Sequence, residues 1–156
     1  MIVVQHLHPS TNVTPSLIYR SRARLSFVEA EDKAPIEEGH VYFAPADYHL
    51  LVEKTFRFGL SSDRHVQHAR PSIDVLFESA AIAYGADACG VVLTGANQDG
   101  AAGLRAIADE GGFAMVQDAA DAEFPLMPSS ALKAVPSART GTIAEIAKEL
   151  SRISRS

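Results

Sequence analysis

Two short polar clusters in this chain follow apolar runs, and together they hold the pieces of a hydrolytic site. Gln5-His6 follows Met1-Ile2-Val3-Val4, and Thr94-Gly95-Ala96-Asn97-Gln98-Asp99-Gly100 follows Ala88–Leu93. In an open α/β sheet, ligands bind outside the carboxyl ends of the strands. A histidine and an aspartate delivered there are the base and the orienter of a hydrolase triad. The imidazole takes a proton from a nucleophile, while the carboxylate fixes its tautomer and stabilises the imidazolium. Each residue alone has a plainer reading. A histidine after a strand is commonly a packed or solvent-facing side chain, and an aspartate at a helix start is commonly an N-cap.

Other candidates are set aside on spacing. His6 and His8 are two apart and His65 and His68 three apart, but neither pair reads as part of a closed ligand set, so no metal is expected. The stretch Gly95 to Gly103 has neither the Lys-Ser/Thr of a P-loop nor G-x-G-x-x-G spacing. No cofactor is expected. Ser10, Ser129 and Ser130 lie on no strand-to-helix elbow of the kind that exposes a nucleophile. Arg70 could meet a substrate carboxylate or sit on the surface beside a helix.

The elements that position these clusters read as an α/β alternation. The β-branched opening run, as far as Gln5, suits a strand buried on both faces. Thr14-Pro15 pairs an N-cap with proline at the first helical position, giving a short helix to about Arg20. Strands are predicted over 24–30 and 40–44, and a hairpin over 48–53 and 55–60. Ser72 caps a helix over 73–84, with Asp74 in its first turn and Gly85 closing it. A strand over 88–93, an Ala-rich helix from Asp99-Gly100 to about Gly111 and a strand over 113–117 follow. Helices are predicted over 129–134 and 143–153. The alternation implies a doubly wound, mostly parallel sheet in a three-layer sandwich, with the 24–60 stretch as a β-hairpin insertion or antiparallel edge.

Bulk properties narrow the function classes. The 156 residues fit one domain, 47% hydrophobic and 21% charged. The net charge of −5 gives no basic excess to displace counterions from nucleic acid. Cys89 is the only cysteine; it lies in an apolar run, reads as a small buried hydrophobe, and suits a reducing, cytoplasmic setting. No apolar run reaches the roughly 18 residues of a membrane span, and no signal peptide is visible.

Motif order gives a sharper expectation. Gln5-His6-Leu7, Gly39-His40-Val41-Tyr42-Phe43-Ala44-Pro45, Arg70-Pro71-Ser72-Ile73-Asp74-Val75-Leu76-Phe77 and Leu93-Thr94-Gly95-Ala96-Asn97-Gln98-Asp99-Gly100 occur in that sequence, followed by Val116-Gln117-Asp118 and Met127-Pro128-Ser129-Ser130-Ala131. The set resembles the catalytic domain of the CheB-type chemotaxis receptor protein-glutamate methylesterases. That resemblance implies removal of methyl esters from glutamates on the cytoplasmic helices of methyl-accepting receptors, with receptor glutamine deamidation in some members. It implies His6 as base, Asp99 as its orienter, and Gln5, the Ala96 amide and Arg70 in the oxyanion and substrate cleft. The family's nucleophilic serine lies in a Gly-x-Ser-x-Gly loop ahead of the Gln-His segment, and no such motif occurs in these residues. Two expectations follow: an N-terminally incomplete enzyme, or an inactive module that binds a receptor or signalling partner.

Overall fold

The computed structural model describes residues 1–6 and 25–153. The expected helix at 15–20, and His8 and Ser10, lie outside the described residues. Among the described residues, eight strands form three hydrogen-bonded sheets. In the first, β1 (Ile2–Val3) and β2 (Ser26–Glu29) flank β3 (His40–Phe43), all parallel, with Ile2 and Val28 both in register with Tyr42. The second is the antiparallel hairpin β4 (His49–Val52) and β5 (Phe58–Ser61). The third is a parallel ladder in which β7 (Phe113–Gln117) lies between β6 (Cys89–Val92) and β8 (Arg139–Gly141).

The α-helices among the described residues are α1 (Ile73–Tyr84), α2 (Ala101–Asp109), α3 (Leu126–Ala134) and α4 (Ile143–Ile153). Ser72 caps α1, and Gly85 ends it with φ 56°, a left-handed conformation that glycine adopts without cost. Apolar residues on α2 and α3 meet one face of the third ladder. Val92, Leu104, Ala114, Val116, Met127, Ala131 and Val135 form that core. Met115 alternates to the other face and borders a cleft with Ile146 of α4. A second core gathers Ala30, Tyr42, Leu50, Val52, Phe58 and Leu76, so it joins the first ladder, the hairpin and α1.

Three sequence expectations change. The 24–60 stretch is not hairpin throughout, because β2 and β3 run parallel. Their connection is a crossover: Lys33 and Ile36 donate backbone bonds to Phe58 and Phe56, and Phe58 donates to Ala34. That pairing carries the chain past the hairpin before it returns to β3. The strands at Met1–Gln5 and Ala88–Leu93 lie in separate ladders, since β1 pairs with β3 and β6 with β7. Cys89 is exposed rather than buried. Strand alternation turns Gly90 and Val92 inward and puts Cys89 on the opposite face.

Candidate active site

The segments that follow β1 and β6 meet, which brings together two residues 93 positions apart in sequence. His6 Nε2 lies 2.8 Å from Asp99 Oδ2. Asp99 is fully buried, and its first oxygen accepts from Ser72 Oγ at 2.7 Å and the Asp74 amide at 2.9 Å. Oδ2 also accepts from the Ile73 amide at 2.6 Å. These donors are the first turn of α1, whose leading amides have no partner within their own helix. A carboxylate from a distant loop therefore sits on the positive end of α1. Burial pushes the Asp99 carboxyl up, but the bonds from His6, the Asp74 and Ile73 amides and Ser72 outweigh it and hold the group below its ordinary value.

The arrangement is reciprocal. Asp99 stands two residues before α2 and caps α1, while Asp74 stands in α1 and caps α2. Asp74 Oδ1 accepts from the amides of Gly100 at 2.9 Å and Gly103 at 2.7 Å. Burial pushes the Asp74 carboxyl up, and the neighbouring Asp99 charge adds to that. The exchange requires glycine at position 100, where φ is 98°.

The loop carrying Asp99 is fixed from both sides. Asn97 Oδ1 accepts from the Asp99 amide at 3.0 Å, and Asn97 Nδ2 lies 3.3 Å from His6 Nδ1. The buried Gln117 accepts from the Thr94 amide at 2.8 Å, and the Gly95 amide donates to Phe124 O at 2.9 Å. With Nε2 donating to Asp99, Nδ1 is the imidazole nitrogen left to receive a proton. A dyad of this form can generate a nucleophile or protonate a leaving group.

The remaining sequence candidates fall nearby or into structural work. Gln5 and Ala96 are exposed on the segments that carry His6 and Asp99. Arg70 spends its guanidinium on Asp47 Oδ1, through Nε at 3.1 Å and Nη2 at 2.7 Å, and on the carbonyls of Ser62 and Asp63. Sequence reasoning placed Ser72 and Asp74 as a cap and a dipole partner of their own helix and missed their bonds across to α2 and Asp99. His49, the first residue of β4, joins the same network. That ring is buried, with Nε2 donating to Arg64 O at 3.0 Å and Nδ1 accepting from the Ser72 amide at 3.2 Å. The one available signal was its place in a run of strand residues.

Comparison with known proteins identifies the family of the chain. The family model described as CheB methylesterase matches residues 1–150. A Leptospira interrogans protein, provisionally named protein-glutamate methylesterase/protein-glutamine glutaminase, is 46% identical over 134 residues, covering 86% of this chain and 69% of that protein. A Hahella chejuensis protein-glutamate methylesterase/protein-glutamine glutaminase is 38% identical over 136 residues, covering 85% of this chain but 38% of that one. The crystal structure of the Thermotoga maritima CheB methylesterase catalytic domain superposes with a TM-score of 0.91 at 27% identity, over 97% of this chain and 82% of that one. With the family model spanning nearly the whole chain and a 46% identical relative so named, this protein belongs to the CheB methylesterase family, a family of carboxylic ester hydrolases.

Proposed function

We propose that this chain carries the acid–base half of a protein-glutamate methylesterase that also deamidates glutamine, acting in the cytoplasm on the helices of methyl-accepting chemotaxis receptors. The observation that carries the reading is the 2.8 Å contact between His6 Nε2 and the buried Asp99. No described helix is long and apolar enough to cross a membrane.

In the proposed reaction, a serine hydroxyl attacks the ester carbonyl and passes its proton to His6 Nδ1. The protonated ring then gives that proton to the departing methoxide, and methanol leaves. Water attacks the resulting acyl-serine by the same relay and releases the glutamate carboxylate. With an amide substrate the leaving group is ammonia. Asp99 keeps Nε2 as the donating nitrogen, so Nδ1 stays turned to the substrate side, where its partner is the long Asn97 contact. The exposed Ala96 amide is proposed as an oxyanion donor, with Gln5 and Arg70 bordering the cleft.

Methanol release from methylated receptor membranes tests this directly. It should be compared between the 156-residue chain and a chain extended by a strand and a Gly-x-Ser-x-Gly loop ahead of Met1. The proposal expects turnover in the extended chain, abolished by changing the loop serine to alanine. Receptor binding without turnover in either form would favour the non-catalytic module instead.

A further inference from the structure

Behind Asp99 lies a second, fully buried layer that the acid–base reading does not use. Besides the helical bond that its carbonyl accepts from the Leu76 amide, Ser72 makes three others. Its hydroxyl donates to Asp99 Oδ1 at 2.7 Å and accepts from the Val75 amide at 3.5 Å, while its own amide donates to His49 Nδ1 at 3.2 Å. Ser72 and His49 are both essentially without solvent contact. The partners of His49 define its tautomer: a carbonyl at Nε2 requires a proton there, and an amide donor at Nδ1 requires a lone pair. The ring thus holds the Ser72 backbone from the side opposite the carboxylate.

An ordinary N-cap serine accepts from its own helix and has no need of a second carboxylate. Here the Val75 bond is the longest of the three and the Asp99 bond the shortest, so the hydroxyl is aimed mainly at Asp99. Asp99 Oδ1 is left with Ser72 and the Asp74 amide, whereas Oδ2 takes His6 and the Ile73 amide. The hydroxyl fixes rotation of the carboxylate about its own axis. That rotation decides whether Oδ2 points at the imidazole.

We propose that Ser72, with its amide held by His49, is a positioning residue that orients Asp99 toward His6. The proposal rests on reading His6–Asp99 as an acid–base pair, and it extends the machinery one layer into the core, to a side chain that touches no substrate.

The test is a measurement of the His6 tautomers rather than of turnover. Long-range ¹H–¹⁵N correlation spectra of the ¹⁵N-labelled full chain give the ratio of the Nδ1–H to the Nε2–H form at a pH where the ring is neutral. In Ser72→Ala this ratio should rise about tenfold, the factor carried by one hydrogen bond to a charged group. Ser72→Thr keeps the hydroxyl and should restore the ratio. If Ser72→Ala does not fold, Ser72→Gly removes the hydroxyl at a position where glycine is well tolerated. His49→Leu should move the ratio in the same direction. A folded Ser72→Ala or Ser72→Gly protein with an unchanged ratio overturns the proposal, and an unchanged ratio in folded His49→Leu removes His49 from it. Failure of the catalytic reading looks different: turnover of the extended chain would survive His6→Ala while the tautomer ratio still answered to Ser72.

Discussion

Gly103→Ala sets two rules of helix energetics against each other. On helix propensity alone, alanine in place of glycine inside α2 stabilises by about 1 kcal/mol. The structure gives the opposite sign. A Cβ at position 103 would lie 2.5 Å from the Cβ of Phe77 and 2.9 Å from both the Cα and the carbonyl oxygen of Asp74. Two of those atoms are α1 backbone, so no side-chain rotation relieves the contact, and the helices must separate. Overpacking of this kind costs about 1–3 kcal/mol, and a backbone clash belongs at the upper end. Subtracting the propensity gain leaves a net loss of about 2 kcal/mol. For a chain of this size that lowers Tm by roughly 4–8 °C. Thermal unfolding followed by far-ultraviolet circular dichroism measures it. The same separation stretches the Gly103 amide bond to Asp74, which is 2.7 Å long in the native protein, and so loosens the reciprocal caps that hold Asp99. An alanine variant as stable as the parent, or more so, would show that α1 and α2 do not approach as described.

The two aspartates should respond to pH in opposite senses. Asp99 is held below its ordinary pKa in the folded state, so its stabilising contribution is present above the unfolded value near 4 and is lost as pH falls through the folded value. Asp99→Asn should therefore cost stability at pH 7 and flatten the acid limb of the stability curve, as followed by urea unfolding between pH 2 and 7. Asp74 is raised, so its contribution is full below the unfolded value and is lost as pH climbs through the folded one. Asp74→Asn keeps an acceptor for Gly100 and Gly103 while removing a buried charge beside Asp99; it should leave Tm unchanged or higher at pH 7, with the advantage shrinking on acidification. Among the described residues β1 and β6 each pair on one side only, with Met1 61% and Leu93 41% exposed nearby. The 156-residue chain should thus self-associate in sedimentation velocity, and the extended chain should do so less.

How far the sequence discloses this architecture depends on the range of the interaction. The helix over 73–84 and the one over 143–153 are found with their ends in place, because caps and apolar spacing act within a few residues. The hairpin β4–β5 is legible for the same reason. By contrast, β8 is only Arg139-Thr140-Gly141, a polar tripeptide with no apolar period, and its pairing with β7 is what makes it a strand. The 24–60 stretch reads as a β-hairpin insertion or antiparallel edge, yet β2 and β3 pair in parallel. Nothing local reveals that residues 33–36 first pair with the hairpin. At the site, His6 and Asp99 are recognisable by motif, but their partners are not. Ser72 and Asp74 carry ordinary capping signals, and only the close approach of α1 to α2 converts them into ligands of Asp99 and the α2 amides. Arg70 shows the converse: its charge suggested a substrate contact, and tertiary structure engages it with Asp47 and two loop carbonyls.

The proposed reaction depends on His6 as the base, and one rate comparison tests it. Methanol release should be measured for the serine-loop-extended chain and for the same chain carrying His6→Ala, after matching amide spectra establish that both are folded. With the imidazole gone, Asp99 has no ring to orient and the serine no proton acceptor. Turnover should fall on the order of 10⁴-fold or more, as when a member of a known triad is removed. Release by the alanine variant within a few-fold of the parent would contradict the assignment, whatever the 2.8 Å contact between His6 and Asp99 suggests.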